Sequence, residues 1–384
     1  MMRITRRRTL AGLGGLVAAD QAVRAKAAAG AAPFDITRYV YVPSATTPEV
    51  TVIDDDTISL AARLDVGVIA RQAVVSREAA TLIASDGQSA AVSLVDVITG
   101  ARRRLVLPAP AQRLTIGTSG RLAAVSDLAG GTIALVSLGD DIATDRIEGV
   151  ITGLPPLRDV MFGDLDTMLY IASARPGGIG VIDVARSRYS HDIATIQPAP
   201  AGIATLARTP DGQQVLAQPQ GGGPISVLDP EQGKAVGQLV AVPGAAGMFT
   251  SGTGAYLFVP DNDRATLAVF RSVRLDDPVT LPGAAGVTGV YSAWLDSVAF
   301  LPSAARDSLL VYDLDAMRLT GEIALGGIPE RGAVTSDSRT LYLPLRDPPR
   351  IVAVAGDLRR VHATFDLPGP PLAALVAGGW GICH

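Results

Sequence analysis

A three-part phrase recurs eight times along this chain, and a period held that often leaves few folds open. Its first segment reads YVYVPS from Tyr39, TLIAS from Thr81, LAAVSD from Leu122 and LYIAS from Leu169, then QVLAQ from Gln214, YLFVPD from Tyr256, VAFLPS from Val298 and LYLPL from Leu341. A second segment of β-branched character follows each one: VTVID from Val50, AVSLVD from Ala91, TIALVS from Thr132, IGVID from Ile179, ISVLD from Ile225, TLAVF from Thr266, LLVYD from Leu309 and IVAVA from Ile351. Short apolar runs bounded by Gly, Pro and Asp are strand signals. Successive copies start 42, 41, 47, 45, 42, 42 and 43 residues apart. A period in the low forties that holds several short strands is one four-stranded propeller blade. A β-helix needs shorter coils, and a sandwich does not keep register over eight copies.

The innermost strand of each blade is supplied by segments such as ARQAVVS before Thr81 and RGAVTS before Thr340. The last of them, LAALVAGG from Leu372, has no complete blade behind it. Closure resolves this: the C-terminal strand joins the three strands that start at Tyr39, both chain ends complete one blade, and no sheet edge is left unpaired. The expectation is a single all-β propeller of eight four-stranded blades over residues 39–384, with a seven-bladed ring and an irregular end as the alternative. Composition agrees, with 48% hydrophobic and 18% charged residues, 41 Gly and 26 Pro, a pattern of buried strands and many turns.

Ahead of the repeats, Thr5, Arg6, Arg7 and Leu10 stand in the order of a twin-arginine signal, followed by a short apolar stretch to Ala19 and by Ala25-Lys26-Ala27, which fits the small-x-small cleavage rule. Residues 1–27 are read as a signal peptide and 28–38 as a linker, which predicts a periplasmic protein. Twin-arginine export carries folded passengers, so a cofactor loaded before export is permitted; the residues identify none. No later run approaches the ~20 apolar residues of a spanning helix. The formal net charge of -4 gives no general attraction for nucleic acid. The lone cysteine, Cys383, forms no intrachain disulfide.

In phrases such as YVPSATTPEVTVIDDDT from Tyr41 to Thr57 and YIASARPGGIGVIDVA from Tyr170 to Ala185, the chain resembles the YVTN-repeat propeller family, over almost all of the mature chain but as a fold-level pattern. That resemblance implies a superfamily of secreted binding proteins, metal chaperones, lactonase-like enzymes, the tetrapyrrole domain of nitrite reductase with its cofactor assembly proteins, and quinoprotein amine dehydrogenases. Fold therefore does not choose among these functions.

Propeller ligands commonly lie at the channel mouth, on loops that lead into the innermost strands. Those loops carry Arg71, Arg113, Arg158, Asp159, Glu330 and Arg331, on blades 2, 3, 4 and 8 when the closing blade is counted first. Guanidinium groups clustered there would bind carboxylates or phosphates bidentately, while pairing with Asp159 or Glu330 would silence them. His191 and His362 fall in outermost strands, far from the channel, which argues against a histidine-ligated tetrapyrrole. Cys383 and His384 offer thiol, imidazole and carboxylate together, yet the sequence supplies no further ligands beside them to complete a metal site. The acidic turns Asp54-Asp55-Asp56 and Asp261-Asn262-Asp263 lack the glycine and glutamate of a calcium loop and are read as solvated hairpins. Gly221 to Gly223 are read as a turn.

These features favour a non-enzymatic exported protein that holds an anionic small molecule, or docks a redox or maturation partner, at the channel mouth. The enzyme alternative, tetrapyrrole-modifying or lactonase-like, requires Asp159 or Glu330 as a mouth carboxylate with a raised pKa. A purely structural interaction scaffold is the third reading.

Overall fold

A computed structural model describes residues 35–196 and 199–378. The leader and the terminal pair Cys383 and His384 lie outside the described residues. From Thr37 onward the chain forms eight four-stranded antiparallel sheets. Among the described residues there is no α-helix, and no helix is long and apolar enough to cross a membrane.

Blade 2 shows the plan. From the channel outward it runs Gln72–Ser76, Thr81–Ser85, Ala91–Asp96 and Arg102–Val106. Innermost strands Arg113–Ile116, Leu157–Phe162, Ile203–Arg208, Phe249–Thr250, Tyr291–Ala293 and Ala333–Val334 open blades 3 to 8. Blade 1 is the closure: Tyr39–Pro43, Glu49–Asp54 and Ser59–Asp65 take Leu375–Val376 as their innermost strand, with Val40 opposite Val376 and Tyr41 opposite Leu375. The eight-bladed reading holds, and the recurring first segments begin within one residue of the observed second strands.

Burial follows the same order. Thr81–Ser85 is buried at every position, whereas the outermost Arg360–Asp366 alternates between exposed and half-buried. The middle strands are covered on both faces by neighbouring blades and read as continuous apolar runs; the outer strand has one wet face and alternates. Distinct apolar clusters fill the junctions between blades. Ile83 and Leu94 of blade 2 pack with Leu114 and Val125 of blade 3, and Phe258 and Val269 of blade 6 with Leu301 and Tyr312 of blade 7.

A register shift separates the third and fourth strands in blades 1 and 3 to 8, as at Val52/Ile53 and Ala353/Val354. Such bulges increase local twist. Only blades 4 and 5 carry a further bulge in the innermost strand among the described residues: Leu157 pairs with Ser173 but Asp159 with Ala172, and Ile203 pairs with Pro219 but Thr205 with Gln218. The inserted residues are Arg158 and Ala204.

Candidate functional site at the top face

Because the strands alternate in direction, the start of each innermost strand lies beside the end of the second. The N–H groups of Arg71, Gln112 and Glu330 donate to the carbonyls of Ser85, Ser126 and Pro344 at 2.7, 2.9 and 2.8 Å. Arg71, Arg113, Arg158 and Arg331 therefore all stand on one end of the ring, here termed the top face, along the arc from blade 8 through the closing blade to blade 4. Arg331 is tied to the closure itself, since its carbonyl accepts the N–H of Ala374 at 2.8 Å.

The members of this set are not equivalent. Arg113 is committed: its Nη2 lies 2.7 Å from Asp159 Oδ1. Asp159 faces the seam between blades and not the mouth. Its side chain is 6% exposed; Oδ1 also accepts Val160 N–H at 2.8 Å, and Oδ2 accepts the Thr205 hydroxyl and Leu206 N–H, each at 2.8 Å. One carboxylate thus joins blades 3, 4 and 5, and its lone pairs are occupied. That geometry removes Asp159 as a mouth base. Glu330 pairs with Arg346 at 3.3 Å rather than with its neighbour Arg331. It is half-buried, and burial pushes its carboxyl above the ordinary glutamate range, offset in part by Arg346.

Arg71, Arg158 and Arg331 form no ion pair among the described residues. The Arg158 guanidinium is held by a neutral group, with Nη1 donating to Gln220 Oε1 of blade 5 at 2.9 Å, so its charge stays available. The bulge aims it: an inserted residue leaves the ladder and projects its side chain away from the regular register. Sequence reading found Arg158 but not the bulge, because a bulge exists only relative to a partner strand.

The histidines behave as expected. His191 and His362 are exposed on the outermost strands Arg188–Ala194 and Arg360–Asp366. No cluster of three or more His, Cys, Asp or Glu residues suited to a metal ion occurs among the described residues. The acidic turns differ in part from the solvated reading, since Asp54 and Asp261 are buried. Asp54 is paired with Arg38, and Asp55 is half-buried, where burial raises its pKa. Asp261 is 2% exposed and caps the N–H groups of Asp263 and Arg264, each at 3.0 Å. Asp56 and Asp263, in the same two turns, stay exposed.

No protein-family model matches the chain, and no curated protein sequence matches it. Solved structures do. The dihydro-heme d1 dehydrogenase NirN, in complex with DHE, superposes with a TM-score of 0.71 at 13% identity, over 91% of this chain and 77% of that one. AztD from Citrobacter koseri gives 0.62 at 14% identity, over 89% and 98%. Hydrazine synthase of Kuenenia stuttgartiensis gives 0.54 at 14% identity, over 74% and 94%. At such identities the likeness is one of fold, and it supports the propeller alone.

Proposed function

We propose that this chain is an exported, non-enzymatic binding or assembly propeller that holds an anionic small molecule, or the acidic surface of a redox or maturation partner, at its top face. The observation that carries this reading is the set Arg71, Arg158 and Arg331, three guanidinium groups on one arc with no carboxylate partner among the described residues. Planar, permanently charged forks of this kind match carboxylate and phosphate geometry. The leader residues Thr5, Arg6, Arg7 and Leu10 support a periplasmic location. A propeller of similar fold, the dihydro-heme d1 dehydrogenase NirN, is described in complex with DHE, which makes a heme-type cofactor one class of ligand to test.

The experiment is native mass spectrometry and absorption spectroscopy of protein purified from its own host, followed by titration with inorganic pyrophosphate and with citrate. A bound adduct, or saturable binding of either probe, that is lost in Arg71→Ala/Arg158→Ala supports the reading. A clean apo mass with no saturable anion binding overturns the small-molecule form and leaves partner docking, tested by whether the same variant loses a co-purifying protein.

A further inference from the structure

On the top face, the seam between blades 5 and 6 holds an open cleft of about 480 Å³, a size suited to a small molecule. Both innermost-strand bulges lead to it. The inserted Ala204 of blade 5 lies in its wall. The inserted Arg158 of blade 4 is held at its rim by Gln220, itself a lining residue. Bulges recur beside binding sites because they re-aim a side chain.

The walls are polar and mostly neutral. Gln220 Oε1 accepts from Arg158 at 2.9 Å, and Asn262 Oδ1 accepts Val287 N–H at 3.3 Å, so each amide keeps its NH2 group to offer. Gly221 and Gly222 line the cleft with backbone alone, at φ 84° and 87°, and their N–H groups donate to nothing among the described residues. A Cβ on Gly222 would stand 2.9 Å from the Pro243 carbonyl oxygen, so this wall tolerates no side chain. Gln218 is 6% exposed and its orphaned Oε1 is buried, so that oxygen meets no ligand.

Charge at the two sides is opposite. The Arg158 guanidinium, whose partner is neutral, stands at the blade 5 rim. On the blade 6 side Asp263 is exposed and in no ion pair among the described residues, because the adjacent Arg264 turns to Asp261 at 3.3 Å. A Cβ on Gly244, another lining residue, would stand 2.7 Å from Asp263 Cγ, which places the carboxylate against the wall. No other charged residue lines the cleft among the described ones. One cation answers one anionic group. A second anionic group further along the ligand would meet Asp263 and no cation, whereas a neutral group with an acceptor oxygen would meet the Gln220, Asn262 and glycine donors.

We propose that this cleft selects, among anions, a small monocarboxylate whose chain carries a neutral amide or hydroxyl group. The carboxylate sits on Arg158, the neutral group lies among the amide donors, and Asp263 repels a second negative charge. The proposal rests on the reading of Arg158 as an anion-binding residue and adds what must follow the anionic group.

Calorimetric titration of the purified protein at low salt, with three acids of similar length, is the test: adipic acid monoamide, adipate and hexanoate. The monoamide should bind saturably. Adipate should be weaker by about five- to tenfold because its second carboxylate meets Asp263, and hexanoate by about as much because it leaves the donors unanswered. Asp263→Asn, an exposed change, should bring adipate to within about twofold of the monoamide by removing that repulsion, with an unchanged melting temperature. Gln220→Glu gives Arg158 a carboxylate partner and should weaken the monoamide by about tenfold, while pyrophosphate, which also has Arg71 and Arg331, should lose less. Adipate or hexanoate binding as tightly as the monoamide, or a preference untouched by Asp263→Asn, would overturn the proposal. Pyrophosphate or citrate binding without monoamide binding leaves the arginine arc standing and sinks this inference alone; failure of every anion to bind sinks both.

Discussion

Arg113 Nη2 and Asp159 Oδ1 meet at 2.7 Å across the seam between blades 3 and 4, the arginine 41% exposed and the carboxylate 6%. The pair is asymmetric, and the asymmetry decides what each residue does. Without Asp159, the guanidinium still reaches water. Without its partners, the carboxylate is a buried charge, and its second oxygen also holds Thr205 and Leu206 of blade 5. Asp159→Ala should therefore cost about 2–4 kcal/mol, mostly from the orphaned Leu206 N–H and Thr205 hydroxyl, whereas Arg113→Ala, which leaves the carboxylate its donors Val160 N–H, Thr205 hydroxyl and Leu206 N–H, should cost less. Urea denaturation of both variants measures the difference; equal costs would contradict the clasp.

The arginines without ion pairs should show the reverse profile. Arg71→Ala and Arg331→Ala should change stability by no more than ~0.5 kcal/mol, as expected for exposed side chains. Each should weaken pyrophosphate or citrate binding by about three- to tenfold at low salt, and less at high salt, where the charge is screened. Denaturation and titration of the same preparations separate the two effects.

On the opposite face, the turn after the innermost strand of blade 4 puts Leu165 at φ 54° with 85% of its surface exposed. The turn is held by Asp166, which accepts the N–H groups of Thr118 and Ser119 from blade 3 at 2.5 and 3.0 Å. Leu165 buries little and occupies a left-handed conformation that costs roughly 1–2 kcal/mol for a residue with a Cβ. Leu165→Gly should raise stability by about 0.5–1 kcal/mol, whereas Asp166→Ala should lower it by at least as much. Thermal denaturation reads both signs.

One buried and two half-buried acids shift stability with pH in one direction. Burial raises the pKa of Asp145, offset in part by Gly139 N–H; it raises that of Asp55 and of Glu330 as well. Asp145 is 1% exposed, and its Oδ2 has no partner. For an acid whose folded pKa lies above its unfolded value, the native state holds the proton longer. Stability then falls as pH rises from the unfolded carboxylate pKa through the raised one. Asp145→Asn should flatten that fall and leave the protein more stable at neutral pH, as measured by urea denaturation across the acidic range. A stability curve unchanged by this substitution would show that Asp145 is ionised at no cost.

Much of this protein was set by its sequence alone. Eight phrases at a period in the low forties leave a ring of four-stranded blades as the fold, since each blade buries its middle strands only against neighbours. The unpaired LAALVAGG segment required closure by both chain ends, because an open ring would leave two bare edges. The positions of Arg71, Arg113, Arg158 and Arg331 on one end followed from strand alternation. Tertiary structure decided which of them keep a free charge. Asp159 answers Arg113 rather than Arg158, Glu330 answers Arg346 rather than Arg331, and Asp54 answers Arg38 instead of water. The bulge at Arg158 and the orphaned oxygen of Gln218 likewise depend on pairing register and on the neighbouring blade. Ion pairs and bulges join residues from different repeats, and local sequence carries periodicity and burial but not which side chain of the next blade stands within hydrogen-bond reach.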